Sequence, residues 1–139
     1  MKVFWDTNLF IYWLEPNGQL TEAVVELERR MRQRKDDLCT STVTLGELLV
    51  YPTQNLDAAE ADRLTNLLFQ AATIIPFDVE AAKQYAIIRA ETGIRGPDAL
   101  QLACATATGA ELFITNDDRL LRRVVPGGLI CTSLAQVPI

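Results

Sequence analysis

Apolar positions along the chain alternate between two rhythms. Short continuous runs with β-branched or aromatic residues predict buried strands at Val3 to Trp5, "DLCTS" (37–41), "TIIPF" (73–77), "LFIT" (112–115) and "GLICTS" (128–133). Between them the spacing turns helical. Leu20, Ala23, Val24, Leu27 and Met31 share one face of a helix that ends near Arg34. Leu64, Leu67, Leu68 and Ala71 share a face of another, from about Asp57 to Ala72. Asn8 to Leu14 predicts a short helix stopped by Pro16-Asn17-Gly18, and "TLGELLVYP" (44–52) a helix halted around Pro52. Asp78 suits the cap of a helix that Gly93 closes. "GPDALQLACATATG" (96–109) has Pro97 in its first turn and Gly109 past its end. It is apolar nearly all round, which predicts a central, buried helix. Asp117 to Arg123 predicts a last short helix. Strands alternating with helices, with no hairpin signal, predict one α/β domain over residues 1–139. Its sheet should hold about four to five short, mostly parallel strands with helices on both faces.

Composition narrows the chemistry. The chain has 139 residues, 49% of them apolar, enough to bury a core without disulfide or metal. The longest apolar stretch near the start, Leu9 to Leu14, falls short of a membrane span and is flanked by Asp6 and Glu15. The expectation is a cytoplasmic protein with no membrane segment or signal peptide. Cys39, Cys104 and Cys131 lie apart in apolar contexts and predict buried thiols. There is no histidine. That excludes Ser-His and Cys-His triads, His-ligated zinc and a histidine pair for RNA cleavage. Hydrolysis would have to use carboxylates, metals, hydroxyls, Lys or Arg.

Four acids stand out by position: Asp6 after the first strand, Glu47 early in the helix after the second, Asp98 opening the central helix, and Asp117 after "LFIT". In open parallel sheets, sites form beyond the carboxyl ends of the strands. Each acid has a local explanation too. Asp6 suits a cap, Thr44 to Glu47 and Thr115 to Asp118 match capping boxes, and Asp98 suits a helix dipole. Caps do not explain why all four flank strongly apolar stretches. Gathered carboxylates repel one another, and a hard divalent cation relieves the repulsion; Mg²⁺ or Mn²⁺ suits an all-oxygen donor set. The formal charge of −5, from 18 acids and 13 bases, argues against a generic nucleic-acid binder. Two divalent ions would bring it to −1, which tolerates a polyanionic substrate.

The stretches "FWDTNLFIYWL", "STVTLGELLVYP", "GPDALQLACA" and "FITNDDRLL", in that order, resemble the PIN-domain nucleases, and among them the toxins of VapBC-type toxin–antitoxin pairs. The resemblance implies a parallel sheet with helices on both faces and cleavage of RNA that depends on Mg²⁺ or Mn²⁺. It implies a metal site lined by Asp6, Glu47, Asp98 and Asp117, with Asn8 and Thr115 as supporting polar groups. Asp118 is a rival for Asp117, which the T-x-D spacing from Thr115 favours. A water activated at the metal would attack phosphorus in line and leave a 5′-phosphate and a 3′-hydroxyl; one ion or two stays open. The resemblance also implies a homodimer and a small antitoxin partner.

Arg30 and Arg34, within "RRMRQRK" (29–35), could grip RNA phosphates, or simply suit a solvated helix end. Arg95, beside Gly96-Pro97-Asp98, could touch substrate or pair with an acid. "LFIYWL" (9–14) reads as core, and such a helix could also form part of a dimer or antitoxin contact. Two other functions compete. One is a regulatory or RNA-binding module of the same fold with weak or no turnover. The other is a phosphatase with an aspartyl nucleophile, which wants a second acid where Asn8 stands.

Overall fold

The computed structural model describes Met1–Ile139. Five strands form one sheet: β1 (Lys2–Trp5), β2 (Asp37–Ser41), β3 (Thr73–Ile75), β4 (Leu112–Ile114) and β5 (Ile130–Thr132). Their order is β3-β2-β1-β4-β5 and every pairing is parallel. The helices are α1 (Thr7–Leu14), α2 (Thr21–Arg34), α3 (Thr42–Gln54), α4 (Ala58–Ala71), α5 (Val79–Thr92), α6 (Gly96–Ala107) and α7 (Asp118–Leu121).

Strand periodicity divides the core into two layers, as the sequence predicts. Val3, Trp5, Leu112 and Ile114 point to one face, where they meet Leu9 and Phe10 of α1, Val24, Leu27 and Met31 of α2, and Leu68 of α4. Phe4, Cys39 and Phe113 point to the other, against Ala81 and Ile88 of α5 and Ala99, Leu102 and Ala103 of α6. Helix α6 is buried along most of its length, as its composition requires. Cys39 and Cys104 are buried and Cys131 half-buried, all as free thiols. Burial pushes the Cys39 thiol up to about 12 and those of Cys104 and Cys131 up to about 11, so none is a nucleophile near neutral pH. No helix is long and apolar enough to cross a membrane.

Several boundaries differ from the periodicity. Helix α3 runs through Pro52 to Gln54 instead of stopping there. Pro52 donates no bond to the preceding turn. Beyond it, Asn55 N and Nδ2 both donate to Tyr51 O, and Asp57 N donates to Pro52 O, so the last turn is held from its far side. The start of α3 also moves. Ser41 caps it, accepting Val43 N at 3.1 Å, which leaves Thr44 inside the helix rather than at its cap. Likewise Asp117, not Thr115, caps α7. β3 stops at Ile75, before Pro76, and β5 spans only Ile130–Thr132.

The chain winds outward from β1 to β2 and β3, then crosses back to β4 and β5 on the other side. The order therefore reverses between β1 and β4. Beyond the carboxyl ends of those two strands the connections diverge and leave a crevice, the place where α/β sheets bind ligands.

Candidate functional site

Asp6 and Thr115 stand side by side at this crevice because they follow the paired strands β1 and β4, whose register matches Trp5 with Ile114. Asp6 N donates to Ile114 O at 3.0 Å, which locks the two strand ends together. Asp6 is only 8% exposed, and both its oxygens are engaged. Oδ1 accepts Thr7 N at 2.8 Å as it caps α1, and Oδ2 accepts the Thr115 hydroxyl at 2.7 Å. Thr115 in turn accepts Asp117 N at 3.0 Å and Asn8 Nδ2 at 3.3 Å. The sequence reason is the same at both strand ends: a polar residue after an apolar run, where the ladder ends and a side chain must take over.

The crevice wall includes Asp6, Asn8, Glu47, Asp98 and Asp117, with Thr7, Gln101 and Arg119. Four acids from four separate segments thus face one open cleft. Asp118 is exposed and does not line it. Burial pushes the Asp6 carboxyl up; the Thr115 and Thr7 bonds pull it down, and the Asp98 and Asp117 charges push it up again. Glu47, at the rim, is raised by the protein walls first, then by Asp6 and Asp98, with the Thr7 hydroxyl opposing. Asp98 is raised by burial and by Asp117, and lowered by Arg119. Asp117 alone is lowered, because Arg119 donates to it. Arg119 Nε and Nη2 reach the Asp117 oxygens at 3.1 and 2.8 Å, and Nη2 lies 4.0 Å from Asp98.

A divalent cation fits this donor set. The donors are all oxygen, three carboxyls are held above their ordinary range by burial and mutual repulsion, and Asn8 Oδ1 is buried with no partner. No three carboxylates are close enough to form a ready-made cage. Mg²⁺ does not need one, since it keeps several waters and binds through one or two carboxylates.

Of the two readings of Arg30 and Arg34, the structure fits the helix end away from the cleft. Arg34 pairs with Asp36, which also binds the Met1 amino group, so it sits at the opposite end of the sheet from the cleft. Arg30 donates to Ile139 O and lies 3.8 Å from Glu26. The structure brings neither to the acids. Arg95 is exposed at the cap of α6, close to Asp98 in sequence and outside the cleft wall. Sequence reading overlooked Thr7, Gln101 and Arg119. Gln101 had a signal: it is the one polar residue in "ALQLACA", three positions after Asp98 and so on the same helix face. Arg119 had the weaker signal of a base two residues past an acid.

A parallel α/β sheet with an acid-lined cleft at its switch point is an arrangement with the donor chemistry to hold a divalent cation. The PIN domain family model matches residues 3–125, and the chain belongs to that family. Its fold is that of VapC toxins. It is similar to VapBC2 of Rickettsia felis bound to a promoter DNA fragment, at TM-score 0.77 and 19% identity over 96% of this chain and 98% of that one. It is similar to VapBC-5 of Mycobacterium tuberculosis at TM-score 0.61 and 25% identity, over 95% and 98%. It is also similar to M. tuberculosis VapC20, described as a sarcin-ricin loop cleaving toxin, at TM-score 0.61 and 15% identity, over 88% and 96%. No curated protein sequence matches the chain.

Proposed function

We propose that the chain is a divalent-metal-dependent endoribonuclease and the toxin of a toxin–antitoxin pair. The observation that carries this reading is the convergence of Asp6, Glu47, Asp98 and Asp117, from four distant segments, on one cleft at the switch point of the sheet. Membership of the PIN family and the likeness to VapC toxins support it.

Asp6 and Asp98 are the residues that would hold the cation, with Asp117 and Glu47 completing the acidic wall. Thr115 and Thr7 fix the Asp6 carboxylate so that its remaining lone pairs face the cleft. The Asn8 carbonyl, lacking a protein partner, would be free to help hold a hydrated cation in the cleft. A bound Mg²⁺ or Mn²⁺ would lower the pKa of a water and stabilise charge on the phosphodiester oxygens. Glu47, raised by its surroundings, is the group placed to take a proton at the cleft rim. Arg119 is the cation of the cleft wall and can turn from Asp117 to a substrate phosphate.

Purified protein should cut RNA in Mg²⁺ or Mn²⁺, leave 5′-phosphate ends, and stop in EDTA. Cutting that persists in EDTA would overturn the metal requirement, and tight RNA binding without cutting would leave a binding module. Arg119→Ala is expected to raise the Asp117 pKa, read by carboxyl NMR, because its hydrogen bonds hold that carboxyl down. Loss of a competing exposed cation should also tighten Mn²⁺ binding by about two- to fivefold, the scale of a surface ion pair.

The same reading supplies the partner surface. Phe10, Trp13 and Leu14 of α1, Leu48 of α3 and Leu64, Leu67 and Leu68 of α4 line an all-apolar groove. It suits an apolar segment of an antitoxin, and the protein is proposed to work as a homodimer silenced by that partner.

A further inference from the structure

Beneath the acids lies a buried polar chain. Thr7, Thr40, Ser41, Thr44 and Gln101 are all buried, and Gln101 is 1% exposed. Gln101 Nε2 donates to Thr7 Oγ1 at 3.0 Å and to Thr44 Oγ1 at 2.7 Å, while its Oε1 accepts from Ser41 Oγ. One amide therefore ties α6 to the start of α1, the end of β2 and the first turns of α3.

Three members of this chain lie within three residues of an acid. Thr7 follows Asp6, Thr44 lies three residues before Glu47, and Gln101 lies three residues after Asp98. On a helix, residues three apart share a face. We infer that Gln101 is the positioning residue that sets the spacing of Asp6, Glu47 and Asp98; this rests on the divalent-cation reading of the cleft.

Counting hydrogens gives the device its direction. Ser41 Oγ accepts Val43 N and gives its own hydrogen to Gln101 Oε1. That fixes the amide with both N–H groups toward the two threonines. Thr40 has one hydroxyl hydrogen for two neighbours, Trp5 O at 2.9 Å and Thr44 Oγ1 at 2.8 Å. The Trp5 carbonyl can only accept, so across the second contact Thr44 gives. Thr7, its oxygen accepting from Gln101, lies 3.1 Å from Thr44 Oγ1, and because Thr44 gives its hydrogen to Thr40, Thr7 gives its own to Thr44. Gln101 thus holds the segments that carry three of the acids in register. An apolar residue of the same length would fill the space without tying them.

The test titrates Mn²⁺ into the full chain by calorimetry, with thermal melting in EDTA alongside. Gln101→Met should stay folded and bind Mn²⁺ about 10- to 100-fold more weakly, the range for partners that orient metal ligands. Thr7→Val should weaken binding in the same sense, and Thr7→Ser, which keeps the hydroxyl, should bind like the wild type. Should Gln101→Met not fold, the Thr7 pair decides. Binding within about twofold of the wild type in both Gln101→Met and Thr7→Val would show a purely structural network and overturn the inference. If the wild type itself binds no Mn²⁺ at millimolar concentration, the cation reading falls, and this inference with it.

Discussion

Asp98→Asn is expected to abolish RNA cleavage and at the same time to raise the melting temperature of the metal-free protein. Asp98 opens α6 and faces Asp117 across the cleft. As a first-turn acid it gains from the helix dipole. Burial and the Asp117 charge nevertheless outweigh the help of Arg119, so the net shift of its pKa is upward. An acid with a raised pKa binds more protons folded than unfolded at pH values above the ordinary carboxylate range. Stability then falls as pH rises from that range through the folded pKa, and the loss persists at neutral pH. Asp6 and Glu47 act in the same sense. Metal-free protein should therefore melt higher in mild acid than at neutral pH. The neutral amide of the Asp98→Asn variant removes one source of the repulsion, for a gain of about 2–5 °C in EDTA at neutral pH. With Mn²⁺ the order reverses, since a cation held by the wild type at 100 times its Kd adds about 2.7 kcal/mol that the variant forgoes. Activity should drop by about a thousandfold or more, the rate equivalent of several kcal/mol of lost charge stabilisation. Melting curves in EDTA and in Mn²⁺, with a cleavage assay on the same samples, decide it. A variant that still cuts, or that melts lower in EDTA, would contradict the assignment of Asp98.

That trade between stability and function is partly visible in the sequence. The strand at Val3 to Trp5 and the Asp that ends it could be read because an apolar run stopped by an acid has few cheap structures. The Asp78 cap and Gly93 stop were equally plain, and the structure confirms both: Asp78 Oδ1 accepts Ala81 N at 2.9 Å, and Gly93 has φ +73°. What periodicity does not carry is strand order. That Asp6 and Thr115 are neighbours depends on β4 returning beside β1, a long-range pairing with no local signal. The choice between the two readings of Arg34 had the same obstacle: its charge was evident, but not that α2 ends at the opposite end of the sheet from the cleft. Gln101 was absorbed into an apolar helix because its partners lie 57 to 94 residues away in the chain. Pro52 was read as a stop, since the bonds of Asn55 and Asp57 that hold the turn beyond it are invisible in composition.

Phe113→Ala is expected to cost about 3–5 kcal/mol, a large share of the roughly 5–15 kcal/mol that holds a domain together. Phe113 is fully buried on β4 and stacks on Phe4 of β1, ring centroids 5.3 Å apart and planes 13° from parallel. The two rings join the strands that bear Asp6 and Thr115, so the cavity would open directly beneath the site. β4 is only three residues long, with β1 on one side and β5 on the other, and little else on the strand can take up the loss. Denaturant unfolding should show the midpoint falling with an unchanged slope, as a stability change requires. Phe113→Leu keeps most of the volume and should cost well under half as much. Phe69→Ala supplies the control, because that ring is 61% exposed on α4 and its loss should stay within about 0.5 kcal/mol. Equal losses at Phe113 and Phe69 would refute the two-layer core. A large loss at Phe113 alone, with Mn²⁺ affinity falling in the fraction that stays folded, would tie the packing of β1 on β4 to the geometry of the acids at their ends.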